Sequence, residues 1–156
     1  MAKTVNEGDK APPFSLPGDD GAIALIDLKG TNVVLYFYPK DNTPGCTREA
    51  IGFSDLTAAF TKAGAVVVGV SKDSLKAHAK FRADHQLKIR LGSDPEAKVI
   101  NDYGVWVEKT NYGRKYMGIE RATFLIDAKG IVRRVWRNVK VAGHAEAVLE
   151  AAQAVR

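Results

Sequence analysis

One side chain in this 156-residue chain can act as a soft nucleophile: Cys46, its only cysteine. It closes the stretch Thr43-Pro44-Gly45-Cys46, in which a hydroxyl residue suited to an N-cap precedes a proline suited to the first helical position. Counting from Thr43 makes Cys46 the third helical residue. The first amides of a helix have no partner inside it, and the positive end of the helix dipole lies there. A thiol in such a place gives up its proton readily. A lone cysteine can equally be a small buried hydrophobe. A strand end, a tight loop and a helix start that converge on one thiol favour the reactive reading.

The elements around Cys46 are legible from spacing. Val33 to Tyr38 is an unbroken β-branched and aromatic run, the mark of a strand buried on both faces. Pro39 stops it, having no amide to give a ladder, and Lys40-Asp41-Asn42 forms a short polar loop. Beyond the thiol, Cys46, Ala50, Phe53, Leu56 and Phe60 recur at helical steps, so the cysteine caps a buried stripe.

The remaining chain alternates strands and helices. The irregular Lys3–Pro17 segment includes a short strand at Phe14-Ser15-Leu16. It turns at Gly18-Asp19-Asp20-Gly21 into Ala22–Leu25, which predicts an N-terminal hairpin. Gly64 ends the first helix, Ala65–Val70 is a second buried strand, and Leu75–Gln86 a second helix with Ala77 and Phe81 inward. Arg90–Asp94 reads as a brief strand and turn, and Pro95–Ile100 as the start of a short helix capped by Ser93 or Asp94. From Tyr103 to Met117 the text is aromatic and polar, with only Val105-Trp106-Val107 read as extended. Arg121–Ile126 and Ile131–Trp136 form an antiparallel pair, and a helix begins near Gly143 with Ala145, Val148, Leu149, Ala152 and Val155 on one face. This order predicts one α/β domain over residues 1–156, with a thioredoxin-like mixed central sheet flanked by helices on both faces.

Composition bounds the function. With 46% hydrophobic and 26% charged residues the chain suits a globular domain with a sizeable core. No apolar run approaches the ~18 residues of a bilayer span, and the first residues lack an apolar signal region, so no membrane role and a cytoplasmic location are expected. One cysteine permits no intrachain disulfide and fits a reducing compartment. The net charge of +5 is spread along the chain, which reads as a solvated surface and not a nucleic-acid footprint. His78, His85 and His144 have no metal-site spacing, and no phosphate-cradling glycine loop is present, so no metal or cofactor is expected.

The segment YFYPKDNTPGCTREA resembles the active-site pattern of the peroxiredoxins: Pro, three residues, Thr or Ser, two residues, Cys. Pro39, Thr43 and Cys46 match it position for position, and the later block GVWVEKTNYGRKYMGIERATFLID resembles the bacterioferritin comigratory protein branch, also called peroxiredoxin Q. The likeness runs from about Asp9 to the end of the chain. It implies a thiol peroxidase in antioxidant defence, acting on hydrogen peroxide and organic hydroperoxides, with Cys46 as nucleophile and Arg121 as the fourth site residue. By the same resemblance Glu49 orients Arg121. Read without it, Arg121 is a surface charge at a strand start and Glu49 an exposed helix residue.

Many relatives carry a second cysteine, and the corresponding places here are Ile51 and about Arg82. The resemblance therefore implies a one-cysteine cycle, in which thioredoxin, glutaredoxin or a small thiol resolves a sulfenic acid. It also implies a monomer, with Trp106 or Tyr112 available to a weak homodimer. Lowering a thiol's pKa from ~8.5 to ~6 is worth only about 2 kcal/mol in rate, part of it lost to weaker nucleophilicity. The rest must come from holding the peroxide and stabilising the leaving oxygen. A sensor or thiol-transfer protein working through mixed disulfides of Cys46 is the alternative, and a basic binding module a more distant one.

Overall fold

The computed structural model describes residues 5–155. Its strands are β1 (Ser15–Leu16), β2 (Ile23–Ala24), β3 (Asn32–Phe37), β4 (Ala65–Ser71), β5 (Arg90–Ser93), β6 (Trp106–Asn111), β7 (Arg114–Ile119), β8 (Ala122–Ile126) and β9 (Val132–Trp136). The α-helices are α1 (Pro44–Asp55), α2 (Thr57–Lys62), α3 (Leu75–His85), α4 (Lys98–Asp102) and α5 (His144–Ala154), with a 3-10 turn at Leu25–Leu28. Lys3 and Thr4, read above as part of an irregular segment, lie outside the described residues.

Five strands form the central sheet in the order β5-β4-β3-β8-β9. β3, β4 and β5 run parallel, whereas β8 is antiparallel to β3 and β9 to β8. Side chains alternate across a pleated strand, and β3 shows what this does. Val33, Leu35 and Phe37 enter one core with Val70, Phe124 and α4's Val99 and Ile100, which the β1–β2 hairpin covers with Leu16 and Ile23. Val34 and Tyr36 enter the other core with Ala50, Phe53, Phe60, Phe81 and Val148. Helices thus cover both faces of a thioredoxin-like sheet, α4 on one and α1, α2, α3 and α5 on the other. No helix among the described residues is long and apolar enough to cross a membrane.

Gly69 shows how tightly the second core is built. A Cβ there would meet the Tyr36 ring at 2.8–2.9 Å, and that ring is fully buried. Gly69→Ala should therefore cost about 1–3 kcal/mol through overpacking. Urea denaturation checks this, and an unchanged midpoint would mean the ring can yield.

Four local readings are corrected. The helix after Cys46 is not continuous to Phe60: Leu56 turns out of helical register with φ −98° and ψ 8°, separating α1 from α2. The inward residues of α3 are His78 and Phe81, while Ala77 is only half-buried. The helix expected from Pro95 begins at Lys98, because Ala97 adopts φ +58° and the Asp94 carboxylate instead accepts from the amides of Lys98 and Ile100. The region read as mostly irregular contains a second hairpin, β6–β7, whose two-residue turn places Tyr112 and Gly113 at φ +52° and +77°.

Candidate active site

The register of the sheet explains how distant residues meet. Phe37 at the carboxyl end of β3 pairs with Ala122 at the start of β8. Arg121, one residue before that pair, consequently lies beside the loop that leaves β3 for α1. Thr43 is the N-cap by conformation and Pro44 the first helical residue. The first amide of this helix to find an i−4 carbonyl is that of Thr47, bonded to Thr43 O at 2.8 Å. The amides of Gly45 and Cys46 therefore have no helical partner and point out of the helix start.

Cys46 is 2% exposed and packs with Tyr36, Tyr38 and Ala50. The Arg121 guanidinium reaches it from outside: Nη2 donates to Sγ at 3.3 Å, while Nη1 donates to Glu49 Oε1 at 2.6 Å. Gly45 leaves room for this, since a Cβ there would stand 3.2 Å from Arg121 Nη2. Thr43 does not use its hydroxyl as a helix cap but donates it to Lys40 O at 2.7 Å. Pro39 is exposed and lines a cleft of about 530 Å³ with Val107, Lys109, Arg121 and Val139. The structure thus brings Cys46, Arg121 and Glu49 into direct contact. It sets Thr43 at the adjacent helix start and Pro39 at the mouth of the cleft.

Charge in this site is unevenly compensated. Burial pushes the Glu49 carboxyl up to about 7 even though the Arg121 guanidinium opposes it. The reason is geometric, because among the described residues Oε1 alone is paired and the buried Oε2 has no partner. Burial also works against the Arg121 cation, but Glu49 and Cys46 outweigh it and hold the guanidinium above its ordinary range. His144 lies under the site, with Nε2 2.8 Å from Thr123 Oγ1, and burial and then Arg121 press its pKa down to about 4. Lys109 is lowered by burial and by Arg121. Among the described residues no cluster of three metal-ligating side chains forms.

Sequence reasoning missed the polar groups behind the loop. Asp41, His78 and Asp73 tie residues 38–43 to the body of the sheet. Of the two second-cysteine places, Ile51 is half-buried on α1, and Arg82 on α3 binds Asp19 through Nε at 2.6 Å and Nη2 at 2.9 Å.

A thioredoxin-like sheet with one thiol in the first turn of α1 and an arginine against it defines a class of thiol-based redox protein. Residues 7–135 match the AhpC/TSA family model. The chain is 52% identical over 147 residues to a bcp-type peroxiredoxin of Coxiella burnetii, covering 94% of this chain and 97% of that protein. It is 48% identical to the peroxiredoxin Bcp of Bacillus subtilis, covering 94% of each. Among solved structures it resembles the Xanthomonas campestris bacterioferritin comigratory protein, described for its alkyl peroxide reduction activity, with TM-score 0.86, 44% identity and 90% of each chain covered. A PrxQ mutant of Xylella fastidiosa superposes with TM-score 0.92 at 39% identity, covering 97% of this chain and 98% of that one. The chain belongs to the AhpC/TSA family, on its Bcp or peroxiredoxin Q branch, and lacks a resolving cysteine.

Proposed function

We propose that this protein is a thiol peroxidase in which Cys46 is the nucleophile and Arg121, Thr43 and Pro39 build the peroxide site. The observation that carries this is the Arg121 guanidinium, which touches the sulfur and Glu49 at once and lines the cleft. The Cys46 thiolate attacks the terminal oxygen of a hydroperoxide along the O–O axis. An S–O bond forms, the O–O bond breaks, and the departing alkoxide or hydroxide takes a proton to leave as alcohol or water. Sulfur is oxidised by two electrons to the sulfenic acid. Arg121 and the amides of Gly45 and Cys46 stabilise the charge that moves onto the oxygens. The Thr43 oxygen accepts the hydrogen of the peroxide, and Pro39 shields the sulfur from water.

The cleft is lined mostly by polar and charged groups, with Pro39, Val107 and Val139 the apolar ones, and both hydrogen peroxide and organic hydroperoxides are the substrates of this reading. With no second cysteine, the sulfenic acid condenses with an external thiol to a mixed disulfide and water. A second thiol then releases the thiolate. The reductant is a small thiol or a thioredoxin- or glutaredoxin-type protein, and the protein works as a monomer in the cytoplasm. At 2% exposure the Cys46 sulfur is screened from solvent, and the Arg121 that touches it also lines the cleft, which favours reaction with a small peroxide over a role confined to thiol transfer.

Stopped-flow mixing of the reduced protein with hydrogen peroxide and with an organic hydroperoxide tests the proposal. One equivalent of oxidant should be consumed per chain, leaving a trappable sulfenic acid on Cys46, and turnover should continue only when thiol is added. A protein inert to both oxidants would refute the peroxidase reading. Consumption that continues without thiol past the three equivalents that carry one sulfur to its sulfonic acid would refute the one-cysteine cycle.

A further inference from the structure

Resting on the peroxidase reading, we infer that Asp73 and His78 are positioning residues that fix the polarity of the Thr43 hydroxyl by locking the Lys40–Asp41 peptide. The argument starts from the hydroxyl. It carries one hydrogen, and that hydrogen is committed to Lys40 O at 2.7 Å. For any further partner the Thr43 oxygen is therefore left with lone pairs only, so it accepts from a hydroperoxide O–H and cannot donate. Were the Lys40 carbonyl turned away, the hydroxyl would be free to rotate and this selection would be lost.

Lys40 C=O and Asp41 N–H belong to one planar trans peptide, in which the two bonds point in opposite directions. The Asp41 amide donates to Asp73 Oδ2 at 3.0 Å. A carboxylate on one edge of the peptide thereby sets the direction of the carbonyl on the other, and the peptide cannot turn without giving up both bonds. Asp73 is itself fixed at the start of the β4–α3 loop. Ser71 Oγ donates to its Oδ2 at 2.6 Å, its own amide returns to Ser71 Oγ at 3.1 Å, and its carbonyl accepts from Ser93 Oγ.

A second clamp holds the side chain of Asp41. Tyr38 Oη donates to Oδ1 at 2.6 Å, and His78 Nδ1 lies 2.6 Å from Oδ2. The other ring nitrogen, Nε2, is 2.9 Å from Gly92 O, which can only accept. Both ring nitrogens thus face acceptors, an arrangement that favours the imidazolium, and the ring is fully buried against the Asp41 carboxylate. A buried ion pair gains little net stability, since desolvation offsets its attraction. The residue it immobilises is next to the peptide that orients Thr43.

The test is a double-mutant cycle on the second-order rate of Cys46 oxidation by peroxide, with Asp73→Ala, Thr43→Val and the pair. Asp73→Ala should slow oxidation about tenfold, the loss expected when one hydrogen bond is removed from an oriented group. In the Thr43→Val background the same change should add nothing, because the group it orients is gone. Asp73→Asn keeps an acceptor for the Asp41 amide and should recover most of the rate, to within about threefold of the parent protein. Should Asp73→Ala not fold, Asp73→Asn carries the same cycle with that smaller effect. A folded Asp73→Ala protein with an unchanged rate, or slowing that multiplies with that of Thr43→Val, would overturn the inference. Absence of Cys46 oxidation in the parent protein would instead refute the peroxidase reading itself.

Discussion

Arg121→Ala should lower the second-order rate of peroxide attack by about 10²–10³-fold, the loss usual when one preorganised donor to a developing oxyanion is removed. Two charges depend on this guanidinium at once: the sulfur at 3.3 Å and the Glu49 carboxylate at 2.6 Å. When peroxide is cleaved, negative charge leaves the sulfur for the departing oxygen, and a donor already held beside both needs no reorganisation. Structural damage should be small, because Glu49 ionises reluctantly and takes up a proton once its partner is gone. Arg121→Lys should fall between the two proteins, since an ammonium is a point charge and cannot donate in fixed directions to two acceptors. Stopped-flow oxidation alongside circular dichroism checks both variants. A folded Arg121→Ala protein reacting within about threefold of the parent rate would remove the guanidinium from the mechanism.

The part of the site that the sequence made legible is the part built from neighbours. Thr43, Pro44 and Cys46 share one helix start, where capping chemistry and dipole act over a few residues, and their order alone places the thiol. Arg121 was reached by resemblance to a family and not by pattern. Its proximity to Cys46 depends on the antiparallel register Phe37↔Ala122, a pairing between segments 85 positions apart that no local signal announces. His78 and Asp41 are a stronger case. A histidine on a helix with low amphipathicity gives no hint of burial, and its partner sits in a loop 37 residues away.

The clearest strands in the sequence are the doubly buried β3, β4 and β8, where hydrophobic runs leave no ambiguity, while turn residues mark the β1–β2 hairpin and β9. Beyond Val107, β6 and all of β7 leave no such signal, because both are largely solvent-facing and their turn begins with Tyr112, a bulky residue in a conformation that glycine or asparagine usually fills. The break at Leu56 was hidden for a related reason. Helical spacing from Cys46 to Phe60 survives it, since Phe60 N still bonds to Leu56 O.

Glu49→Gln should change the pH dependence of stability more than its level at any one pH. In the folded protein Glu49 titrates near pH 7 instead of 4.5. Between those values the native state holds a proton that the unfolded state has lost, so stability falls as pH rises through the window, by about 3 kcal/mol in all. His144 acts in the opposite sense. Its pKa drops from 6.5 to about 4 on folding, so the unfolded state binds the extra proton, and stability rises with pH between 4 and 6.5 by a similar amount. In the parent protein the two slopes largely cancel between pH 4.5 and 6.5. The other groups displaced by folding act mainly outside that range. Asp127 and Glu120 are held low and lose their contribution as pH falls further, and His78 is held high and loses its contribution as pH rises above 6.5. Glutamine cannot ionise, yet its amide oxygen still accepts from Arg121, so the variant keeps the contact and loses the falling limb. Its stability, measured by urea denaturation, should climb by about 3 kcal/mol between pH 4 and 6.5 while that of the parent stays nearly level. Parallel curves for the two proteins would show that Glu49 stays charged beside Arg121 throughout. The sulfur would then share the Arg121 cation with a permanent anion.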